Sequence, residues 1–209
     1  MNSVKLEKYC ERLAEKEFKS SKKGLGKEKI RVFSAVSNKG VYSFADSAKK
    51  ICGRIYIIND DFGAVSGTIL QAVKSHALGA GYNIISSYCP LNPFGTPEHI
   101  FIPELSLGFV TSNVHHDFTN SIDAYRIVNY RRFTDNDKLK TCKKRLRFNL
   151  KAKTQMINRS VELLAEAKAT HDKLEKFYIS ATNFSKVEEL TQKAIAEIDK
   201  MYNNNICRL

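Results

Sequence analysis

No stretch of this chain approaches the ~18 consecutive apolar residues that a bilayer-crossing helix needs, which sets a membrane-spanning class aside. The first residues, Met1-Asn-Ser-Val-Lys-Leu-Glu-Lys8, lack the apolar core of a secretory signal. Cysteine offers no framework either. Cys10, Cys52, Cys89, Cys142 and Cys207 are odd in number and scattered without C-x-x-C spacing, so neither a disulfide scaffold nor a zinc ribbon is supported. A reducing, cytoplasmic setting is the expectation. There is no low-complexity tract and no short-period repeat. Proline and glycine are missing between Asp135 and Tyr178, which leaves a long helix as the reading of that segment.

What remains is a 209-residue chain, 43% apolar, large enough to bury a proper core. Its net charge of +12 is unevenly placed. Residues 32–125 carry five Lys/Arg against seven acids, whereas residues 126–153 carry eleven against two. The basicity therefore sits around a faintly acidic centre.

Residues 4–19 have Leu6, Tyr9, Leu13 and the Phe18 region at helical spacing, and a break follows at Ser20–Gly26. From Ile30 the period changes. Arg31–Val36 reads as a strand, Asn38–Gly40 as a turn and Phe44–Ile51 as a short helix. A strand over Ile55–Asn59, a helix from Ser66 to Leu78 ended by Gly79-Ala-Gly81, and a strand over Tyr82–Cys89 come next. Pro90–Pro97 is a loop, and Ile100–Ile102 and Leu107–Thr111 are buried-strand candidates. Strands alternating with helices in short units predict a mainly parallel sheet covered on both faces. In the last third, Leu139, Cys142, Leu146, Leu150, Ile157, Leu164, His171 and Leu174 form one narrow stripe. Ser180–Asn183 interrupts it, and Ser185-Lys-Val-Glu188 has the form of a capping box opening a second helix. Two long helices joined by a short break predict an antiparallel hairpin. The expected division is an N-terminal helix and linker over 1–29, an α/β core over 30–133 and a helical hairpin over 134–209.

The most informative segment runs from Gly53 to Leu70. An apolar β-branched run feeds a short glycine-containing loop, and a helical pattern opens at Ser66-Gly-Thr68. That order is the setting in which G-x-x-x-x-G-K-[ST] wraps nucleotide phosphates. Laid on that motif, the glycines fall on Asp60 and Val65, the lysine on Ser66 and the hydroxyl residue on Gly67. The scaffold is legible and the catalytic residues are missing. A carboxylate ~5 Å from phosphate, at an effective dielectric of about 20, opposes each unit of negative charge by roughly 3 kcal/mol. A helix dipole returns only about 0.3–1 kcal/mol. The loop remnant thus comprises Asp60, Asp61, Gly63, Ser66, Gly67 and Thr68, with Asp60 or Asp61 expected to cap the amides that phosphate would occupy. The alternative is residual anion or nucleotide binding, with Lys39 replacing the lost lysine and Thr68 the hydroxyl.

With those segments placed, the chain resembles a family of bacterial P-loop ATPase-like proteins from spore-forming Gram-positive lineages, built from two similar halves. The resemblance is carried by Arg31–Gly40, Ile55–Leu70, the Ile102-Pro-Glu-Leu105 word within Glu98–Leu105, and His171-Asp-Lys-Leu-Glu-Lys-Phe-Tyr-Ile-Ser-Ala181. It covers roughly residues 30–200, one half of a two-half member, and is closest to second halves with a degenerate phosphate loop. It implies a P-loop-type three-layer α/β fold. Residues 1–19 then correspond to the trailing helix of a first half, making the chain a lone half or a separately encoded partner.

Further candidates are weaker. Glu104, at a strand end, invites a catalytic role but has no phosphate lysine to work with; capping or surface exposure is the plainer reading. His115-His116-Asp117 suggests a metal, yet no third ligand is spaced to join them, and His116 reads as a structural hydrogen-bonding residue. His99 and His171 read as packing histidines, and Cys89 has no nearby base. Lys140, Lys143, Lys144, Arg147 and Lys151 cluster on one face of the basic helix 138–153; a solvated face or one matched to an acidic partner is the plainer reading, and a stripe tracking a phosphate backbone or an anionic membrane surface the alternatives. The leading expectation is a non-catalytic scaffold or partner domain, pairing with an intact P-loop protein or with itself. It needs no cofactor or metal. Mg-ATP enters only under the nucleotide-binding alternative, and nucleic acid only under the basic-helix alternative.

Overall fold

The computed structural model describes residues 1–19 and 24–206, without the side chains of residue 136 and residues 203–206. Part of the break read at Ser20–Gly26, and Cys207, lie outside the described residues. The order of elements is α1 (Ser3–Glu17), β1 (Glu28–Ile30), β2 (Ser34–Ser37), β3 (Gly40–Ser43), α2 (Ala45–Ile51), β4 (Arg54–Asn59), α3 (Ser66–Gly79), β5 (Ile84–Tyr88), β6 (Pro97–Ile102), β7 (Leu107–Ser112), β8 (Arg126–Asn129), α4 (Asn136–Ala181) and α5 (Phe184–Ile206). The chain divides into two compact units, residues 1–165 and 166–209.

The first unit is α/β. Six strands form one sheet in the order β1-β5-β6-β7-β4-β8, and β2 and β3 form a separate hairpin. The pairs β1–β5, β4–β7 and β4–β8 are parallel, while β6 runs antiparallel to both its neighbours. Central β4 reads as a continuous apolar run because both faces are covered. Tyr56 and Ile58 join the core under α1 and α3, with Leu6, Leu13, Ile69, Val73 and Phe109. Ile55 and Ile57 face the opposite way, toward Phe33, Ala48 of α2, Val110 and Phe118. Each such side chain removed from water contributes about 1.5–3 kcal/mol. Helix α1 is capped by Asn2, whose side chain accepts from Lys5 N at 2.9 Å. It is pinned at its other end by Glu17, buried against Tyr56 and Arg54 of β4.

Several local readings change. The run Arg31–Val36 is not one strand: β1 ends at Ile30, residues 31–33 are irregular, and β2 begins at Ser34. Phe33 leaves the strand direction to bury its ring beside His99, Phe101 and Phe118. The Asn38-Lys39 turn closes the β2–β3 hairpin, with Ser37 opposite Gly40. Strand β8, inside the basic stretch, has no alternating pattern to mark it; three of its four residues are exposed on this sheet edge. The antiparallel direction of β6 follows from its flanks, a short loop before it and the tight Pro103–Leu105 turn after it, too short for a crossover.

The second unit comprises the end of α4 and α5, separated by Thr182 and Asn183. The start of α5 differs from the expected capping box. Asn183, not Ser185, caps it, accepting from Lys186 N at 3.2 Å. Ser185 and Glu188 lie inside the helix. Between residues 166 and 202 every side chain is exposed except half-buried Asp172, so the apolar positions Leu174, Val187, Leu190, Ile198 and Met201 face water. Among the described residues no helix is long and apolar enough to cross a membrane.

Candidate functional site

The loop between β4 and α3 is organised by one carboxylate. Asp60 is only 2% exposed, and its oxygens accept from Ala64 N at 2.9 Å, Val65 N at 2.7 Å and Ser66 N at 2.8 Å. Val65, at the N-cap position of α3, carries no polar side chain; Asp60 supplies the cap from five residues upstream. Three converging amides at a helix N-terminus favour negative charge, and the chain meets them with its own. Asp60 is the capping residue of the two considered, and Asp61 is exposed. Gly63 makes the turn at φ 65°, a region costly for residues with a Cβ. Gly67 sits against Thr96, where an added Cβ would lie 2.8 Å from Oγ1. Ser66 is buried, whereas Thr68 is exposed on α3 and does not line the cleft above the loop.

That cleft, of about 230 Å³, lies at the carboxyl edge of the parallel strands, the usual ligand edge of an open α/β sheet. The Asp60–Gly63 loop floors it, Glu98 of β6 and Thr111 and Asn113 flank it, and α4 closes it with Leu146, Leu150 and Lys153. Residues 146, 150 and 153 share one helical face, which is why they arrive together. The lysine beside the loop is therefore Lys153, not Lys39. Lys39 stays in the exposed β2–β3 turn and is not among the cleft residues. Glu104 is also elsewhere. Because β6 runs antiparallel, its end and Glu104 lie at the opposite edge from Asp60, where the carboxylate accepts from Asn83 N at 3.4 Å and Nδ2 at 3.2 Å.

Glu98 and His99, adjacent in sequence, are joined beside the cleft by the distant His116. β6 carries an irregularity opposite Ser87 and Tyr88: His99 pairs with Ser87 and Pro97 with Tyr88, leaving Glu98 as the extra residue. Such a bulge lets adjacent side chains approach one side. His116 is folded back toward them by its bridge to Asn113, with amides exchanged at 3.1 and 3.2 Å. Glu98 Oε2 lies 4.0 Å from His99 Nε2, and Glu98 Oε1 3.9 Å from His116 Nε2. His116 Nε2 also faces Asn113 Nδ2 at 3.2 Å. Asp117 turns away, accepting from Ser112 Oγ and Thr119 N. Burial pushes the Glu98 carboxyl up, partly offset by the Lys153 charge. Burial takes His116 down to about 4, helped by Lys153 and His115. It takes His99 well below the ordinary histidine range, with His116 adding to the effect.

The basic stripe is on the surface. Lys140, Lys143, Lys144, Arg147 and Lys151 are all exposed, and Lys140 is paired with Asp137 at 3.0 Å. Cys10, Cys52, Cys89 and Cys142 are free thiols, and burial raises Cys52 to about 11, making it a poor nucleophile. Sequence reasoning gave no site role to Lys153, Glu98, His99, Thr111 or Asn113. A faint signal existed for two of them, since Glu98-His99 is a polar pair at the head of an otherwise apolar strand. Comparison with protein-family profiles, with curated proteins and with solved structures finds no match to this chain.

Proposed function

We propose that the chain is a P-loop-like domain whose phosphate position is filled by its own Asp60 carboxylate, and that it acts without catalysis as a scaffold or partner for another protein. One observation carries this reading: three amides at the mouth of α3 converge on a buried carboxylate rather than on open space. A phosphoryl group would have to displace an anion that is covalently tethered, and the loop from β4 to α3 itself holds no lysine, Lys153 reaching the cleft only from α4. The second unit supports the partner role. Val187, Leu190, Ile198 and Met201 recur on one side of α5 and are 48–68% exposed, a stripe of the kind that another helix covers. In this reading α4 and α5 fold back as an antiparallel hairpin when that stripe is closed by an intact P-loop protein or by a second copy.

Titration of wild type with ATP, with and without Mg²⁺, tests the proposal directly. No saturable binding and no hydrolysis above background are expected. Turnover that survives repurification and is lost on substituting Gly63 would overturn it. The complementary arm empties the loop: Asp60→Gly should gain thermal stabilisation from millimolar phosphate or sulfate that wild type does not show. A folded Asp60→Gly protein indifferent to both anions would refute the phosphate-loop ancestry of the segment. A second reading, nucleic-acid binding, rests on the exposed basic face of α4. Lys143, Lys144, Arg147 and Lys151 have no ion-pair partner among the described residues.

A further inference from the structure

The strongest unexplained polarity in the molecule is at the bulge of β6. His99 is fully buried, and neither of its ring nitrogens has a hydrogen-bond partner; Glu98 Oε2 is buried and unpartnered as well. A buried donor or acceptor left unmade costs about 1–3 kcal/mol, so a side chain with two such atoms calls for a ligand. A hydrophobic residue of similar size would fill the space beside Phe33 and Phe118 at lower cost, and the chain does not use one. Three of the orphaned atoms, the two His99 nitrogens and Glu98 Oε2, sit together. One ligand atom each from Glu98, His99 and His116 lies within 4.8 Å of the others.

We propose that Glu98, His99 and His116 form a binding site for a divalent transition-metal ion of the Zn²⁺ class. The donor set, two imidazoles and one carboxylate, suits Zn²⁺ and its neighbours in the first transition row rather than Ca²⁺ or Mg²⁺, which take oxygen ligands. With ligands about 2.0–2.2 Å from the ion, a tetrahedral site separates donor atoms by about 3.3–3.6 Å. The present 3.9 and 4.0 Å separations close to that by side-chain rotation of roughly half an ångström. Three features make the geometry reachable. The bulge releases Glu98 from strict alternation, so it and His99 turn to one point. The Asn113–His116 bridge holds the third ligand over them; the ion takes the Nε2 lone pair that Asn113 Nδ2 faces in its absence, so that contact gives way on binding. Glu98 and His116 each line a cavity, so water reaches a fourth position, the arrangement of a site with three protein ligands. On binding, the ion satisfies one His99 nitrogen and the Glu98 oxygen; the other His99 nitrogen is left to the surrounding aromatic rings. This site does not depend on the phosphate-loop reading and stands or falls separately.

The test uses untagged full-length protein stripped with a chelator and titrated with Co²⁺ and Zn²⁺. Visible absorption reports Co²⁺ coordination, and competition against a chromophoric chelator gives the Zn²⁺ affinity. One equivalent per chain is expected, with the d–d spectrum of a four- or five-coordinate ion and a rise in thermal midpoint on loading. Glu98→Gln and His116→Ala, both at partly exposed positions, should each lower affinity by about 100-fold or more, beyond the 10- to 100-fold typical of lost second-layer contacts. His99→Gln should abolish the spectrum; if that buried variant fails to fold, the other two still decide. His171 with Asp172 and Glu175 is a second carboxylate–imidazole group on the exposed helix, so His171→Ala is the control and should change nothing. Absence of stoichiometric binding to wild type overturns the proposal. So does binding that survives Glu98→Gln and His116→Ala, or that is lost with His171→Ala.

Discussion

Replacing Asp60 is the sharpest single perturbation this fold offers. Its carboxylate makes three bonds of 2.7–2.9 Å to loop and helix amides and is shielded from solvent. Bonds to a charged acceptor are worth about 1.5–3 kcal/mol each, so three would set a ceiling of about 5–9 kcal/mol. That ceiling is not reached, because Asp60 borders the 230 Å³ cleft and water can enter to re-solvate the freed amides. Helix-cap deletions measured elsewhere cost about 0.5–2 kcal/mol with one bond lost. Between these bounds, Asp60→Ala should destabilise the first unit by about 2–4 kcal/mol. Asp60→Asn retains one carbonyl acceptor but presents an NH₂ to the amides, and should cost about 1–2 kcal/mol. At roughly 2–4 °C per kcal/mol for a unit of this size, the alanine variant should melt about 4–16 °C lower. Urea unfolding and calorimetry at neutral pH provide the measurement, and Asp61→Ala is the internal control. Asp61 is exposed and should stay within about 0.5 kcal/mol of wild type. Equal effects at 60 and 61, or no effect at 60, would refute the assignment of the cap.

Three further outcomes follow from the packing. Glu17 is pulled up by burial but held below the usual carboxylate range by the Tyr56 hydroxyl, Lys16 and Arg54, which together outweigh it. Its stabilising effect is therefore complete above the unfolded value of about 4.3 and is lost as pH falls through the lower folded value. Because Lys16 and Arg54 are partly exposed, Glu17→Gln should cost only about 1–3 kcal/mol at pH 7, less than the 3–5 kcal/mol of a fully buried broken pair, and the gap from wild type should narrow near pH 3 in urea melts. Gly26→Ala drives a methyl group into the Tyr82 carbonyl and should destabilise the β1–β5 edge, read as early hydrogen exchange at Ile84–Ser86. Reversing Lys143, Lys144, Arg147 and Lys151 to Glu should leave the melting temperature nearly unchanged, since all four are exposed. If the stripe binds duplex DNA, each phosphate contact removed should flatten the log–log salt slope by about 0.9; equal weak binding by both proteins would dismiss that role.

The periodic parts of this chain were legible one residue at a time. Leu6, Tyr9 and Leu13 mark α1, the β-branched run marks β4, and the absence of proline and glycine marks α4, because helix and buried strand each impose a local spacing on apolar side chains. The β4–turn–α3 segment was legible for the same reason, since strand, glycine turn and helix are consecutive. The direction of β6 was not legible. It depends on which neighbours accept its backbone hydrogen bonds, and that reversal sends Glu104 to one edge of the sheet and Glu98 to the other. The same holds for Lys153, an ordinary member of a basic helix until α4 lays residues 146–153 over the Asp60 loop. His99 and His116, 17 positions apart in sequence, meet only because β6 bulges and the 113–116 bridge turns the chain back. Sequence by itself determined most of the elements and the absence of a lysine between β4 and α3, which are properties of neighbours along the chain. Only the tertiary structure decided that Asp60 rather than Asp61 caps the amides at the start of α3 and that two histidines and a glutamate share one corner, because both rest on contacts that backbone pairing and side-chain packing create across the chain.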